Sequence, residues 1–190
     1  VTNMGEVFGG THFNKDIGDW DVSNVTSMKG MFYNNFSFNQ DLGRWDVSNV
    51  TQMNYMFFGT PFNQDISKWD VSSVQKMNSL FAYSDFNQDI GSWDVGNVTE
   101  MVNIFNNTPF DQDIGGWDVS NITDFGAIFH NAYSFNQDIG SWDVRSAENF
   151  IWMFYSASSF NQDLSSWDVS NVTNMNSTFR NADSFNYDLS

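Results

Sequence analysis

Residues 38–57 read Phe38-Asn39-Gln40-Asp41-Leu42-Gly43-Arg44-Trp45-Asp46-Val47-Ser48-Asn49-Val50-Thr51-Gln52-Met53-Asn54-Tyr55-Met56-Phe57. Trp45-Asp46-Val47 alternates apolar, polar, apolar, which predicts a short strand with two side chains inward and one outward. Met53, Met56 and Phe57 recur at intervals of three and four, which predicts one helical or 3₁₀ turn on the opposite side. Ser48, Asn49 and Thr51 stand between the two and suit the capping of corner amides. Gly43 eases the approach to the strand.

The stretch recurs along the whole chain. Tryptophan falls at Trp20, Trp45, Trp69, Trp93, Trp117, Trp142 and Trp167, at intervals of 25, 24, 24, 24, 25 and 25 residues, with Trp152 alone outside the register. A phenylalanine precedes each repeated Trp by seven residues, from Phe13 to Phe160, and another follows by twelve, from Phe32 to Phe179. The link from the second Phe to the next first Phe is the one variable spacing, so a fixed frame carries one elastic corner. A lone unit buries too few apolar side chains to offset the ordering of its own backbone. Its backbone donors and acceptors also need partners in neighbouring units. The units must therefore stack. The reading is a repeat solenoid with one short parallel strand and one short helical or 3₁₀ turn per repeat of 24 or 25 residues, about seven and a half repeats over residues 1–190. The chain opens inside one unit at Val1-Thr2-Asn3-Met4 and closes inside another at Phe185-Asn186-Tyr187-Asp188-Leu189. A segment of a longer array is expected, or one that continues into a neighbouring subunit.

Composition bounds the function. Acids outnumber bases 23 to 7 in 190 residues, for a net charge of −16. That balance argues against nucleic acid, whose binders neutralise phosphates with basic patches. Cysteine is absent and only two histidines are present, so there is no thiolate chemistry and little for imidazole zinc or acid–base work. No apolar run is long enough to span a membrane. Aromatic residues make up 18% of the chain, which opposes the disorder that its charge would otherwise suggest.

The spacing Ile17-x-x-Trp20-x-Val22-x-x-Val25-x-x-Met28 is similar to the leucine-rich-repeat frame, with Trp in place of the second leucine. The fuller string Phe-Asn-Gln-Asp-Ile-Gly-x-Trp-Asp-Val-Ser-Asn-Val-Thr-x-Met resembles the short repeats of BspA-like bacterial surface proteins. It also resembles the domain of unknown function found in mycoplasma surface lipoproteins. The resemblance covers essentially the whole chain. It implies a leucine-rich-repeat-like right-handed coil, exposed outside the cell and associated with adhesion, and it carries over no catalytic residue. Val25 and Val50 occupy the position where leucine-rich repeats place asparagine, so an interior asparagine ladder is not expected.

Two aspartates recur per unit: the series beginning Asp16 and Asp41, and the series Asp21, Asp46, Asp70, Asp94, Asp118, Asp143 and Asp168. The second series lies between inward residues and must point outward. At a spacing of about 4.8 Å its carboxylates repel. Calcium bridging adjacent units, hydrogen bonds from corner amides and hydroxyls, or proton sharing would each relieve the repulsion. The second series is the candidate calcium ladder, although no compact calcium-loop motif is present. No cofactor is required by the reading. Asn35 and Asn106 begin Asn-x-Ser/Thr sequons on the variable corner and are the candidate glycosylation sites. The repeated Trp column is expected in the core, its indole N–H needing a partner. Tyr33, Tyr55, Tyr83, Tyr133 and Tyr155 are expected on the side of the predicted helical turn, partly exposed.

Catalysis needs an acid and a base in different environments, whereas these carboxylates repeat with nearly identical neighbours. The expected function is an extracellular, non-enzymatic surface module for adhesion, protein–protein interaction or structural assembly, including filaments. Its partner would be a protein, a glycan-bearing surface or a second copy. A calcium-dependent ligand-binding module is the alternative, and binding to ice or another crystal surface a distant one.

Overall fold

A computed structural model describes residues 1–188. The repeating unit forms one layer, and successive layers stack so that equivalent residues lie above one another. Hydrogen bonds between layers join residues 22 to 28 apart, from Asn78–Glu100 to Trp45–Ile17.

The expected strand-and-helix solenoid does not form, and the leucine-rich-repeat architecture implied by the resemblance is corrected with it. Among the described residues there is no helix and no strand; sheet-type pairing is limited to isolated parallel bridges such as Ser27–Gln52 and Gln52–Lys76. The layers are built mostly of turns and irregular segments. At the predicted strand, Trp45-Asp46-Val47, the amide of Trp45 turns back to Leu42 O and that of Val50 to Val47 O, at 3.0 and 2.9 Å. Turns on both sides leave too short an extended piece for a ladder. The inter-layer bond comes from a side chain instead: from Trp45 to Trp167 the indole N–H of each Trp in the repeat register donates to the carbonyl of an apolar residue one layer back, as in Trp69–Leu42 at 3.0 Å and Trp93–Ile66 at 3.2 Å.

At the predicted helical turn the chain makes consecutive tight turns. The amides of Met56 and Phe58 return three residues back, to Met53 and Tyr55, while those of Tyr55, Phe57 and Gly59 donate to Asn78, Leu80 and Ala82 of the next layer. A helix would use all these donors internally and leave the layers unjoined. Left-handed residues make the reversal. One column of positive φ runs Glu6, Gly30, Tyr55, Ser79, Asn103, Ala127, Trp152, Ser177, and a second runs Gly10, Asn34, Gly59, Tyr83, Asn107, Asn131, Ser156, Asn181.

Two columns of Phe fill the centre. Within a layer the rings lie face to face, as for Phe57 and Phe62 at 3.9 Å. Between layers they repeat at 5.9 Å for Phe57–Phe81 and 6.3 Å for Phe62–Phe86. Trp45 through Trp142 are buried beside them, whereas Trp20, in the first layer to carry the column, is 43% exposed. At the edge of the stack an asparagine column binds the layers. Asn39 Oδ1 accepts both the Asn63 amide and the Gln64 side-chain amide at 2.9 Å, and Asn63 does the same for Asn87 and Gln88. This ladder is peripheral and half-buried, not at the interior position where leucine-rich repeats carry theirs.

One junction departs from the pattern. Bridges run from Asn3 to Glu100 and again from Asp124 to Asn174, but none joins Glu100 to Asp124. Each carries a carboxylate at the bridge position, that of Glu100 bound by Lys76 and the Asn78 side chain one layer back and that of Asp124 by the Asn149 side chain one layer forward. At the adjoining core position Met28, Met53, Met77 and Met101 give way to Phe125 and Phe150, whose rings pack edge to face at 5.5 Å.

Candidate functional site

The Asp21 series points outward as its spacing predicts, and each of its carboxylates is engaged in a local turn. Asp46 Oδ1 accepts the Ser48 hydroxyl at 2.6 Å and the Ser48 amide at 3.1 Å. Asp21, Asp70 and Asp118 hold Ser23, Ser72 and Ser120 in the same way. Asp168 accepts the Ser170 amide at 3.0 Å. At Asp94 the partner is Gly96, so the amide alone donates. Asp143 is bound by the Arg145 guanidinium as well as its amide.

These bonds set the ionisation. The Ser48 hydroxyl, then its amide, hold the Asp46 carboxyl below its usual range, against the opposing push of Asp70 and Asp21. The hydroxyls of Ser23, Ser72, Ser120 and Ser170 lower Asp21, Asp70, Asp118 and Asp168 likewise. The Arg145 side chain brings Asp143 down to about 2. Hydrogen bonding outweighs like-charge repulsion along the ladder, so none of these six groups shifts toward the raised pKa that proton sharing would require.

The Asp16 series caps a different turn: Asp41 Oδ1 accepts the Gly43 amide at 2.8 Å, and Asp89 that of Gly91 at 2.9 Å. Between the two series lies an open hollow of about 600 Å³, lined by Asp138, Asp143, Asp163 and Asp168 together with Arg145 and Trp142. Among the described residues no three His, Cys, Asp or Glu side chains converge as metal ligands would. The structure thus sets the candidate calcium carboxylates out singly, one per layer.

Both sequon asparagines are hydrogen-bonded within the fold, and they differ in exposure. Asn35 is buried; its side-chain amide donates to Phe13 O at 2.9 Å and its Oδ1 accepts the Ser37 amide. That nitrogen is not open to a glycan. Asn106 is half-buried, donating to Asn103 Oδ1 at 3.1 Å, with its own Oδ1 3.1 Å from His130 Nδ1.

The strip of turns forms a second surface, and Tyr33, Tyr55, Tyr83 and Tyr155, expected partly exposed on the side of the turn, lie on it. A middle column, Tyr33, Phe58, Ala82, Asn106, His130 and Tyr155, runs between the two columns of left-handed residues. Tyr33 lies on Phe58 at 5.0 Å and meets Tyr55 edge on at 6.2 Å, and Phe58 contacts Tyr83 at 5.3 Å. Two layers further along, His130 stacks on Tyr155 at 4.9 Å and approaches Trp152 at 6.3 Å. Burial keeps the His130 imidazole below its ordinary pKa, hence neutral near pH 7. Tyr55, Tyr83 and Trp152 stand in the left-handed region at φ 59, 58 and 57° while 38, 50 and 46% exposed. Trp152, the one tryptophan outside the register, was a further signal that the sequence reading did not place on this strip.

No described helix is long and apolar enough to cross a membrane. No curated protein and no solved structure matches the chain. A family pattern matches twice, over residues 1–85 and 81–190, so that the two matches together take in every layer of the stack. The chain belongs to the family described as Mycoplasma protein of unknown function, DUF285.

Proposed function

We propose that this chain is an extracellular, non-enzymatic surface module for adhesion, contact with another protein or structural assembly. The observation that carries the reading is the use of its carboxylates. Each caps a turn of its own layer, and the same arrangement returns layer after layer. Such a series lacks the unequal acid and base environments of a catalytic pair. The likeness of the repeat string to BspA-like surface repeats supports exposure at a cell surface.

In this reading the Asp21 series is structural and calcium is not needed. Surface labelling of intact source cells, with adhesion of the purified chain to other cells, tests the main claim; absence of both overturns it. A calcium titration followed by thermal unfolding tests the ladder. No shift between EDTA and calcium is expected, and a midpoint that rises with calcium would restore the ladder as a cation site.

A further inference from the structure

Resting on that adhesive reading, we infer that the strip of turns is its contact surface and that its ligand is an uncharged glycan chain. Three independent observations converge there. The first is the cost of the rings. The left-handed region disfavours bulky side chains, and its other occupants in this chain are Gly, Ala127, Glu6, serines such as Ser79 and Ser156, and asparagines such as Asn34 and Asn103. Tyr55, Tyr83 and Trp152 hold the same conformation and still keep 38, 50 and 46% of their surface exposed. A disfavoured backbone carrying a large ring that is only half packed marks a position suited to contact.

Charge is the second observation. From Gly30 to Ser156 the three columns contain no ionised side chain, although the chain carries 23 acids and 7 bases. A cationic partner would find its counter-ions on the Asp ladders instead, and the cations near the strip stand at its two ends, Lys29 beside Tyr33 and Tyr55 and Arg180 over the Tyr155 ring at 5.7 Å. The third is the polar centre between the ring clusters. Asn103, Asn106 and His130 form a hydrogen-bonded chain, in which Asn106 Nδ2 donates to Asn103 Oδ1 and Asn106 Oδ1 accepts from His130 Nδ1. Sugar rings present C–H faces that lie on aromatic rings and hydroxyls that pair with amides. Tyr55 and Trp152 stand four layers apart, about 19 Å at ~4.8 Å per layer, a span suited to a short linear oligosaccharide rather than a single sugar.

The test uses the whole chain with linear neutral gluco-, manno- and galacto-oligosaccharides from tetramers to hexamers, and sulfated dextran and oligolysine as charged controls. At least one neutral series is expected to bind, with an affinity insensitive to salt. Tyr55→Asn, Tyr83→Asn and Trp152→Asn should each weaken binding about tenfold without lowering the thermal midpoint, since Asn accepts the left-handed backbone. Trp152→Phe should keep most of the affinity. A lowered midpoint in the Asn variants would make the rings structural and overturn the inference. Binding that survives the triple Asn variant would overturn it too, as would binding to the charged polymers alone. If no neutral oligosaccharide binds while the chain still adheres to cells, this inference fails and the adhesive reading stands. Failure of both assays removes both.

Discussion

A hydroxyl two residues beyond an aspartate governs the acid response of this protein. Asp21, Asp46, Asp70, Asp118 and Asp168 are each held below the usual carboxylate range by such a serine, and Asp143 is held at about 2 by Arg145. Between the folded and unfolded pKa values the unfolded chain binds more protons, so acid favours unfolding. The stabilisation is complete above about pH 4 and drains away as pH falls through the folded values toward 2. Thermal midpoints followed by circular dichroism should therefore drop across that window. Replacing Ser23, Ser48, Ser72 and Ser120 by Ala should make the drop shallower, because the depressed pKa values then return toward normal. A midpoint that rises on acidification would mean that charge repulsion dominates instead.

At the scale of the turn and the bridge, one junction stands apart: Glu100, paired with Lys76 of the layer before, and Asp124 hold successive bridge positions without a bridge between them. Like charges directly opposite destabilise a pairing, and this is the one point in the series of bridges where pairing lapses. The next two layers carry Asn149 and Asn174 at the same place. Asp124→Asn keeps an acceptor for the Gly126 amide and Asn149 side chain that Asp124 now binds. It should stabilise the protein by about 0.5–1 kcal/mol, seen as a higher urea midpoint at unchanged slope; a lower midpoint would assign the lapse to the Phe125 side of the junction.

This scale also shows what the sequence could reveal. The inward Trp45 and Val47, the outward Asp46 and the stacked Phe residues follow from spacing alone, because side-chain direction is a matter of period. The backbone between them was not legible. Met53 and Met56, three apart, suit a helical turn, but they equally suit successive turns closed by bonds three residues back, and the period is the same for both. What separates the two is the left-handed residue, and Tyr55 and Trp152 are side chains that give no warning of it. The strand failed for a related reason: Trp45-Asp46-Val47 alternates correctly, yet an indole N–H takes the place of the backbone ladder. The calcium carboxylates were legible as a series, but not the serine that occupies each, since Ser48 reads equally well as a corner residue. Of the strip of turns, the tyrosines were legible as residues on the turn side, but the three-column arrangement was not, because it arises only through the left-handed backbone.

For the whole stack, position along the axis should decide the cost of a defect. Phe105 is buried between layers on both sides, touching Phe81 and Phe129, whereas Phe179 is half-buried and touches Phe154. Phe105→Ala should cost about 3–5 kcal/mol and Phe179→Ala clearly less, measured by denaturant unfolding. Equal losses would mean that the layers do not depend on their neighbours in the way the ring contacts indicate.

The asparagine bracket has a genetic consequence. Each Asn offers its oxygen forward to the two donors of the following layer, and that layer offers the same oxygen onward. Recombination that gained or lost one unit in phase would rejoin like to like, with no orphaned donor at the seam. The lineage could therefore tune reach in single increments, and each increment between Tyr55 and Trp152 would reset the distance across which two rings grip one ligand.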